Sequence, residues 1–135
     1  MSGIKNLSKL LKSLQPELKK ADFVFCTIPE AKYGDFTELA PIGSFIEKEG
    51  LTLILHREKA EQAGLKYSAV MKMITLNVHS SLEAVGLTAI VATCLANHGI
   101  SANVVAAYFH DHIFVPKIQA QAAFEALVQL ANSQN

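Results

Sequence analysis

The chain has 135 residues, 50% of them hydrophobic, which is enough for one core or for two small modules that share one. Lysine and arginine number 12, as do aspartate and glutamate, so the formal net charge is zero and no basic run attracts a phosphate backbone. Nucleic acid is therefore excluded as an expected partner, and a neutral, hydrophobic composition favours self-association.

The two cysteines and the N-terminal segment indicate a cytoplasmic protein. Cys26 and Cys94 lie inside apolar runs, which is typical of small buried side chains in a reducing compartment. Met1–Leu14 lacks the continuous apolar stretch and the cleavage site of a signal peptide. No segment has the roughly 20 apolar residues that span a bilayer, so we expect no membrane association.

The first predicted element is an amphipathic helix that Pro16 closes. Its apolar positions recur at three and four residues: Ile4, Leu7, Leu10, Leu11 and Leu14. A position on a membrane surface is the alternative reading of this pattern. The helix is short and its polar face carries only three lysines, which favours docking onto the protein's own core.

The rest of the first half predicts a strand, a loop, a hairpin and a short helix. Phe23–Ile28 is a run of β-formers typical of a buried strand. Residues 29–42 have no clear period and are predicted as loop. Phe45–Ile46 and Leu51–Leu55 flank a glycine turn and predict a hairpin. Arg57–Ala63 then predicts a short helix.

The second half begins with a strand and a helix. Met71–Val78 alternates, with Ile74 and Leu76 on one side. Ser80, with Glu83 three residues later, forms a capping box, so the helix is predicted to start there and to run to about Asn97.

Two strands and a last helix complete the predicted second half. The strands are Ile100–Tyr108 and Ile113–Val115, joined by a turn at His110–His112. An amphipathic helix follows Pro116, with Ala120, Ala123, Phe124 and Leu127 facing inward.

The two halves repeat the same order of elements. Leu53–Arg57 aligns with Ile113–Lys117, and Phe23–Ile28 aligns with Met73–Val78. The two alignments differ in offset by about one short helix, which places a deletion in the loop between residues 29 and 41. The first module is therefore predicted to have lost most of its first helix.

This repeat predicts a domain organisation in three parts. Residues 1–16 form the N-terminal helix, 17–66 a truncated first module, and 67–135 a second module. The second module has no evident last strand.

The helix of the second module is apolar all round, since it has no charged residue from Leu87 to Asn97. A surface helix shows a polar stripe, so more than one side of this helix must be covered, by the first module or by a second chain. A homodimer is the simplest result. Gly86 costs about 1 kcal/mol relative to alanine inside a helix, and close packing against another backbone is favoured as its reason over the approach of a ligand.

Three segments of the second half resemble a small bacterial family of tandem ACT-like domains: His79–Ala89, Gly99–Tyr108 and His110–Pro116. Glu49–Leu53 is similar to the first-module signature of the same family. The resemblance implies an α+β, ferredoxin-like βαββαβ fold of two tandem modules, with an antiparallel sheet and helices packed mainly on one face. The family is related to the regulatory domains of aspartate kinases and to a cytosolic arginine sensor of animals.

The resemblance also implies a ligand site where the first strand turns into the first helix and a residue of the second strand meets it. On this chain the implied contacts are Ser80, Ser81, Glu83, Val85, Gly86 and Asn103. A single site at this junction is expected, because the first module is truncated.

Physical chemistry is compatible with that site. The start of an apolar helix presents free backbone N–H groups and the positive end of its dipole to a carboxylate. Glu83 or Asp111 could receive the ammonium group of an amino acid. The alternative is that Ser80 and Glu83 only cap the helix.

The histidines offer a second reading, since His79, His110 and His112 with Asp111 could bind a metal ion or supply a catalytic base. Their spacing matches no specific metal motif, and Asp111 falls at a predicted tight turn, so a structural role is favoured. No GxSxG, P-loop or GxGxxG is present.

The sequence thus predicts a sensor that binds a small molecule, in the first place an amino acid, with no catalytic activity and no cofactor. The first alternative is a metal-binding protein or an enzyme that uses the three histidines. The second is an interaction module that binds no ligand.

Overall fold

The computed structural model describes residues 2–78 and 86–134, with side chains described from Leu7 onward. The helices are α1 Ser2–Lys12, α2 Arg57–Gln62, α3 Leu87–Asn97 and α4 Ala120–Asn132. The strands are β1 Pro16–Leu18, β2 Phe23–Ile28, β3 Gly43–Glu47, β4 Gly50–His56, β5 Met71–Leu76, β6 Asn103–Ala106 and β7 Asp111–Pro116. Two compact units result: unit 1 is Met1–Lys20 with Lys72–Asn135, and unit 2 is Ala21–Met71.

Unit 2 is a small antiparallel sheet with the order β3-β4-β2. The predicted hairpin is confirmed, with Glu47 opposite Gly50 at its turn. The sequence predicted that this module has lost most of its first helix. The structure has only a 3-10 turn there, at Thr37–Leu39. The core of the unit consists of Val24, Cys26, Leu51, Leu53, Leu55 and Ala60.

Unit 1 contains the strand order β1-β5-β7-β6, with α1, α3 and α4 sharing one apolar cluster with the sheet. Alternation along the strands directs one side of each toward the helices. The buried side chains of this cluster include Leu11, Leu14, Ile74, Leu76, Val91, Leu95, Ile113, Val115, Ala123 and Leu127. The N-terminal helix therefore docks onto the protein's own core, as its sequence favoured. The α+β fold with an antiparallel sheet is confirmed.

Strand β1 was not predicted from the sequence. It pairs antiparallel with β5, and Leu18 lies opposite Ile74. It thereby occupies the place beside β5 where the second module lacked a last strand. Residues from both ends of the chain build unit 1, whereas the predicted modules, 17–66 and 67–135, are consecutive.

The internal repeat is visible where a strand leads into a helix in each unit. His56, before α2, has φ −58° and ψ 135°, and Pro116, at the end of β7, has φ −56° and ψ 138°. The alanine four residues later is buried in both cases, Ala60 and Ala120. Matching backbone angles and burial support the duplication.

Two details of the second half differ from prediction. Strand β6 ends at Ala106. Residues 107–110 form the turn, which is closed by a hydrogen bond of 3.1 Å from the Ala107 N–H to the His110 carbonyl. Asp111 is therefore the first residue of β7, where it pairs with Ala106, and the prediction that it lies in the turn is wrong. In the described parts of the chain, no helix combines the length and the apolar character needed to cross a bilayer.

Candidate ligand site

One end of the unit 1 sheet brings together the end of β5 and the start of β7. A hydrogen bond of 2.9 Å joins Thr75 Oγ1 to His112 Nδ1, and these are the next-to-last residue of β5 and the second residue of β7. The chain leaves the sheet at this end on its way to α3. Asp111 lies at the same end because it starts β7.

Asp111 and Asn103 lie on opposite faces of the sheet and at opposite ends of the β6–β7 hairpin. Asp111 is on the face of Ile113, which is buried against the helices, whereas Asn103 lies opposite Phe114 on the other face. Three residues of strand, about 10 Å, separate the two positions along the hairpin. The structure groups Asp111, but not Asn103, with the end of β5.

Gly86 directly precedes α3 with φ +103°, a left-handed conformation that favours glycine. A Cβ at this position would meet the Leu7 Cδ2 atom at 3.6 Å, which is ordinary contact with a side chain. Among the described residues no backbone atom lies within 4 Å of this Cβ, so they give no support to close packing against another backbone, the favoured reason for this glycine. The left-handed backbone conformation accounts for it. The other implied contacts, Ser80, Ser81, Glu83 and Val85, lie outside the described residues, as does the predicted capping box.

The first turn of α3 has the electrostatic character that an anion site needs. Gly86 has no side chain with which to cap the helix, and no acidic residue lies in the first turn. The unpaired N–H groups of a helix start and the positive end of its dipole attract a carboxylate.

Thr75, which is buried, and His112, which is half-buried, form a polar pair that sequence reasoning missed. Thr75 lies on the side of β5 opposite Ile74 and Leu76, yet only 3% of it is exposed. The signal available in the sequence was a threonine in an apolar strand and a histidine in a neighbouring one. Burial lowers the pKa of His112, the nearby His110 lowers it further, and Asp111 partly opposes both effects.

The described residues alone do not form a metal site. His110 Nδ1 is buried and has no hydrogen-bond partner within residues 2–78 and 86–134. Within the same residues, no three metal-ligating side chains lie close enough together to hold an ion. His79 is outside the described residues, so the cluster with His110 and His112 stays a prediction.

The described residues also form two concave surfaces, one in each unit. The first, the helix groove, has a volume of about 440 Å³ and lies along α3 and α4, where it is lined by Ala89, Ile90, Thr93, Cys94, Asn97, His98 and Leu130. The second, the loop cavity, has about 380 Å³ and lies within unit 2.

Comparison with known proteins relates the whole chain to one kind of domain. Two models described as ACT domain match, over residues 2–72 and 69–129. A crystal structure of a Vibrio cholerae protein of unknown function, described as a possible transport protein, is 56% identical over 96% of this chain and 98% of that chain, with a TM-score of 0.87. No curated protein matches significantly.

More distant structures share the fold alone. An Agrobacterium tumefaciens protein is 13% identical over 86% of this chain and 87% of that chain, with a TM-score of 0.68. The ligand-free regulatory subunit of aspartate kinase from Thermus thermophilus is 10% identical over 87% and 97%, with a TM-score of 0.65.

Proposed function

Since this chain belongs to the ACT domain family, we propose that it binds an amino acid or a similar small carboxylate reversibly, without chemical turnover. ACT domains are in general regulatory domains for small ligands, often amino acids. The observation that carries the proposal is the match of both halves to this domain, from residue 2 to residue 129. Two such domains over residues 2–129 fit a regulatory role better than a catalytic one.

The proposed site is the end of the unit 1 sheet where β5 leads toward α3. The ligand's carboxylate binds the N–H groups of the first turn of α3, which Gly86 leaves without a side-chain cap. Further contacts come from Ser80, Ser81 and Val85. Glu83 or Asp111 receives the ammonium group. Asn103 is a less favourable contact in this proposal, because it lies at the other end of the hairpin.

Binding is proposed to be read out as a change in assembly. A ligand shifts an equilibrium between two arrangements only by its difference in affinity for them. A homodimer in which α3 is covered by a second copy offers such an equilibrium, because the proposed site lies at the start of this helix. A cytoplasmic protein partner would then receive the signal.

A thermal-shift screen of amino acids, other small carboxylates and divalent metals on the untagged protein tests this function. A ligand at about 100 times its Kd stabilises the fold by about 2.7 kcal/mol, which raises Tm by several degrees. We expect an amino acid to give this shift. Glu83→Gln and Asp111→Asn should weaken it, and Glu125→Gln, an exposed carboxylate on α4, should not.

Two outcomes would contradict the proposal. If a metal alone raises Tm, and His110→Ala with His112→Ala abolishes the shift, the metal-binding alternative replaces it. If no compound changes Tm, the chain is an interaction module without a ligand.

A further inference from the structure

The loop cavity in unit 2 has the size and the lining of a small-molecule site. Its volume of about 380 Å³ lies in the range of known ligand pockets. Its floor is apolar, since Leu51 and Leu53 of β4 line it and are each only 1% exposed. Its polar lining comes from the 29–42 loop and from the start of β3: Tyr33, Asp35, Thr37 and Ser44.

The cavity lies beside the loop in which the first module was expected to have lost its first helix. Phe36 and Leu39 pack against the core of unit 2 and hold the loop at the sheet. Phe36 and Ala40 have φ of +66° and +50°, which side chains other than glycine rarely adopt. The contacts that impose these conformations fix the shape of the loop, so the cavity is a defined feature of unit 2.

The charge of the lining selects for a cation. Among the described residues that line it, Asp35 is the only charged one, and none is a lysine or an arginine. The Lys32 N–H donates to Asp35 Oδ2 at 2.8 Å, which orients the carboxylate and leaves it further acceptor capacity. The Tyr33 ring, 78% exposed, offers a face for a cation, and the hydroxyl groups of Thr37 and Ser44 can accept N–H donors.

We propose that the loop cavity binds a small primary amine with a short hydrocarbon part. The ammonium group pairs with Asp35, and the hydrocarbon part covers Leu51 and Leu53. This site is separate from the one proposed at the start of α3 and is independent of it. It selects a positive charge, whereas the start of α3 selects a carboxylate.

Backbone amide shifts of the full chain, measured by NMR in phosphate buffer, test the proposal with three four-carbon probes. The probes are n-butylamine, butyrate and 1-butanol. We expect n-butylamine to cause saturable shifts at Gly34, Asp35, Thr37 and Ser44, with a Kd at least tenfold lower than that of either other probe at these amides. A shift caused by butyrate near Gly86 reports on the other site and leaves this comparison intact.

Two matched variants assign the charge. Asp35→Asn keeps an oxygen that can accept from the Lys32 N–H, so the loop should keep its conformation while the Kd for n-butylamine rises at least tenfold. Glu38→Gln removes an exposed carboxylate of the same loop, and Glu38 does not line the cavity. The Kd of this variant for n-butylamine should be unchanged. The proposal is overturned if n-butylamine gives no saturable shift, if the three probes bind equally, or if the two variants have equal effects.

Discussion

Gly50, the first residue of β4, lies too close to the end of β2 to carry a side chain. A Cβ added there would lie 2.6 Å from the Ile28 carbonyl oxygen, and φ is +152°. Gly50→Ala must therefore displace β2 or β4, and we expect it to reduce the free energy of unfolding by about 3 kcal/mol. Urea unfolding followed by circular dichroism measures this loss.

The matched control for that change is Gly64→Ala. Gly64 has φ +70°, but no atom lies within 4 Å of the added Cβ, so only the left-handed conformation counts against alanine. The expected loss is about 1 kcal/mol. Equal losses at the two glycines would contradict the role given to the contact between Gly50 and Ile28.

His112 makes the stability of unit 1 depend on pH. Its pKa in the folded protein is lowered from 6.5, chiefly by burial, so the unfolded chain binds more protons at mildly acidic pH. The stability that the neutral ring contributes is complete above pH 6.5 and is lost as pH falls through the lowered pKa. We expect the urea midpoint to fall between pH 7 and pH 5, and to fall less in His112→Asn. His56→Asn, at an exposed histidine, should keep the full decrease.

At the scale of residues, the sequence indicated which residues matter better than it indicated their backbone conformation, their place in a strand or their hydrogen bonds. Gly86 was correctly singled out, but its reason is a left-handed φ, which no spacing reveals. Asp111 was assigned to a turn because aspartate favours turns, yet the pairing with Ala106 extends the strand to it. Thr75 is buried, and its hydroxyl bonds to a histidine in a strand distant in sequence, a pairing that no local pattern reveals.

The N-terminal helix is an integral part of unit 1, and Leu11 tests this at the scale of elements. Its side chain is buried in the apolar cluster that α1 shares with α3, α4 and the sheet. Leu11→Ala leaves a cavity in this core and should cost about 2–5 kcal/mol in the free energy of unfolding. Lys12→Ala, at an exposed position of the same helix, should change stability little. A small effect of Leu11→Ala would indicate that α1 docks only loosely.

Elements with a clear apolar pattern were predictable, whereas the shortest strand, β1, was not. The spacing of leucines in α1 and the β-formers of β2 each decided an element by themselves. Strand β1 has three residues, too few to show alternation, and it exists because β5 offers it backbone partners. Pairing of this kind depends on contacts far apart in sequence, so no local pattern announces it.

At the scale of the whole molecule, the repeat predicted two similar units. It did not predict that the N-terminal segment supplies a strand of unit 1. The missing last strand of the second module was read from its own half, whereas the chain supplies β1 from the N-terminal segment. The structure also defines how far one chain covers the apolar helix α3. Leu87, Val91 and Leu95 are buried, while Ala89, Thr93 and Ala96 remain exposed beside the helix groove.

The exposed side of α3 leads to a prediction about assembly. This side carries no charged residue, and a face of small and apolar side chains beside a groove is suited to pack against a second copy. We expect sedimentation at micromolar concentration to give a dimer. Thr93→Glu places a charge in the groove and should shift the protein to monomer, because an unpaired carboxylate at a packed interface is costly. Ala122→Glu, at an exposed position of α4 outside the groove lining, adds the same charge and should leave the dimer intact. A monomeric parent protein, or a dimer that withstands Thr93→Glu, would contradict the prediction that this side of α3 forms a dimer interface.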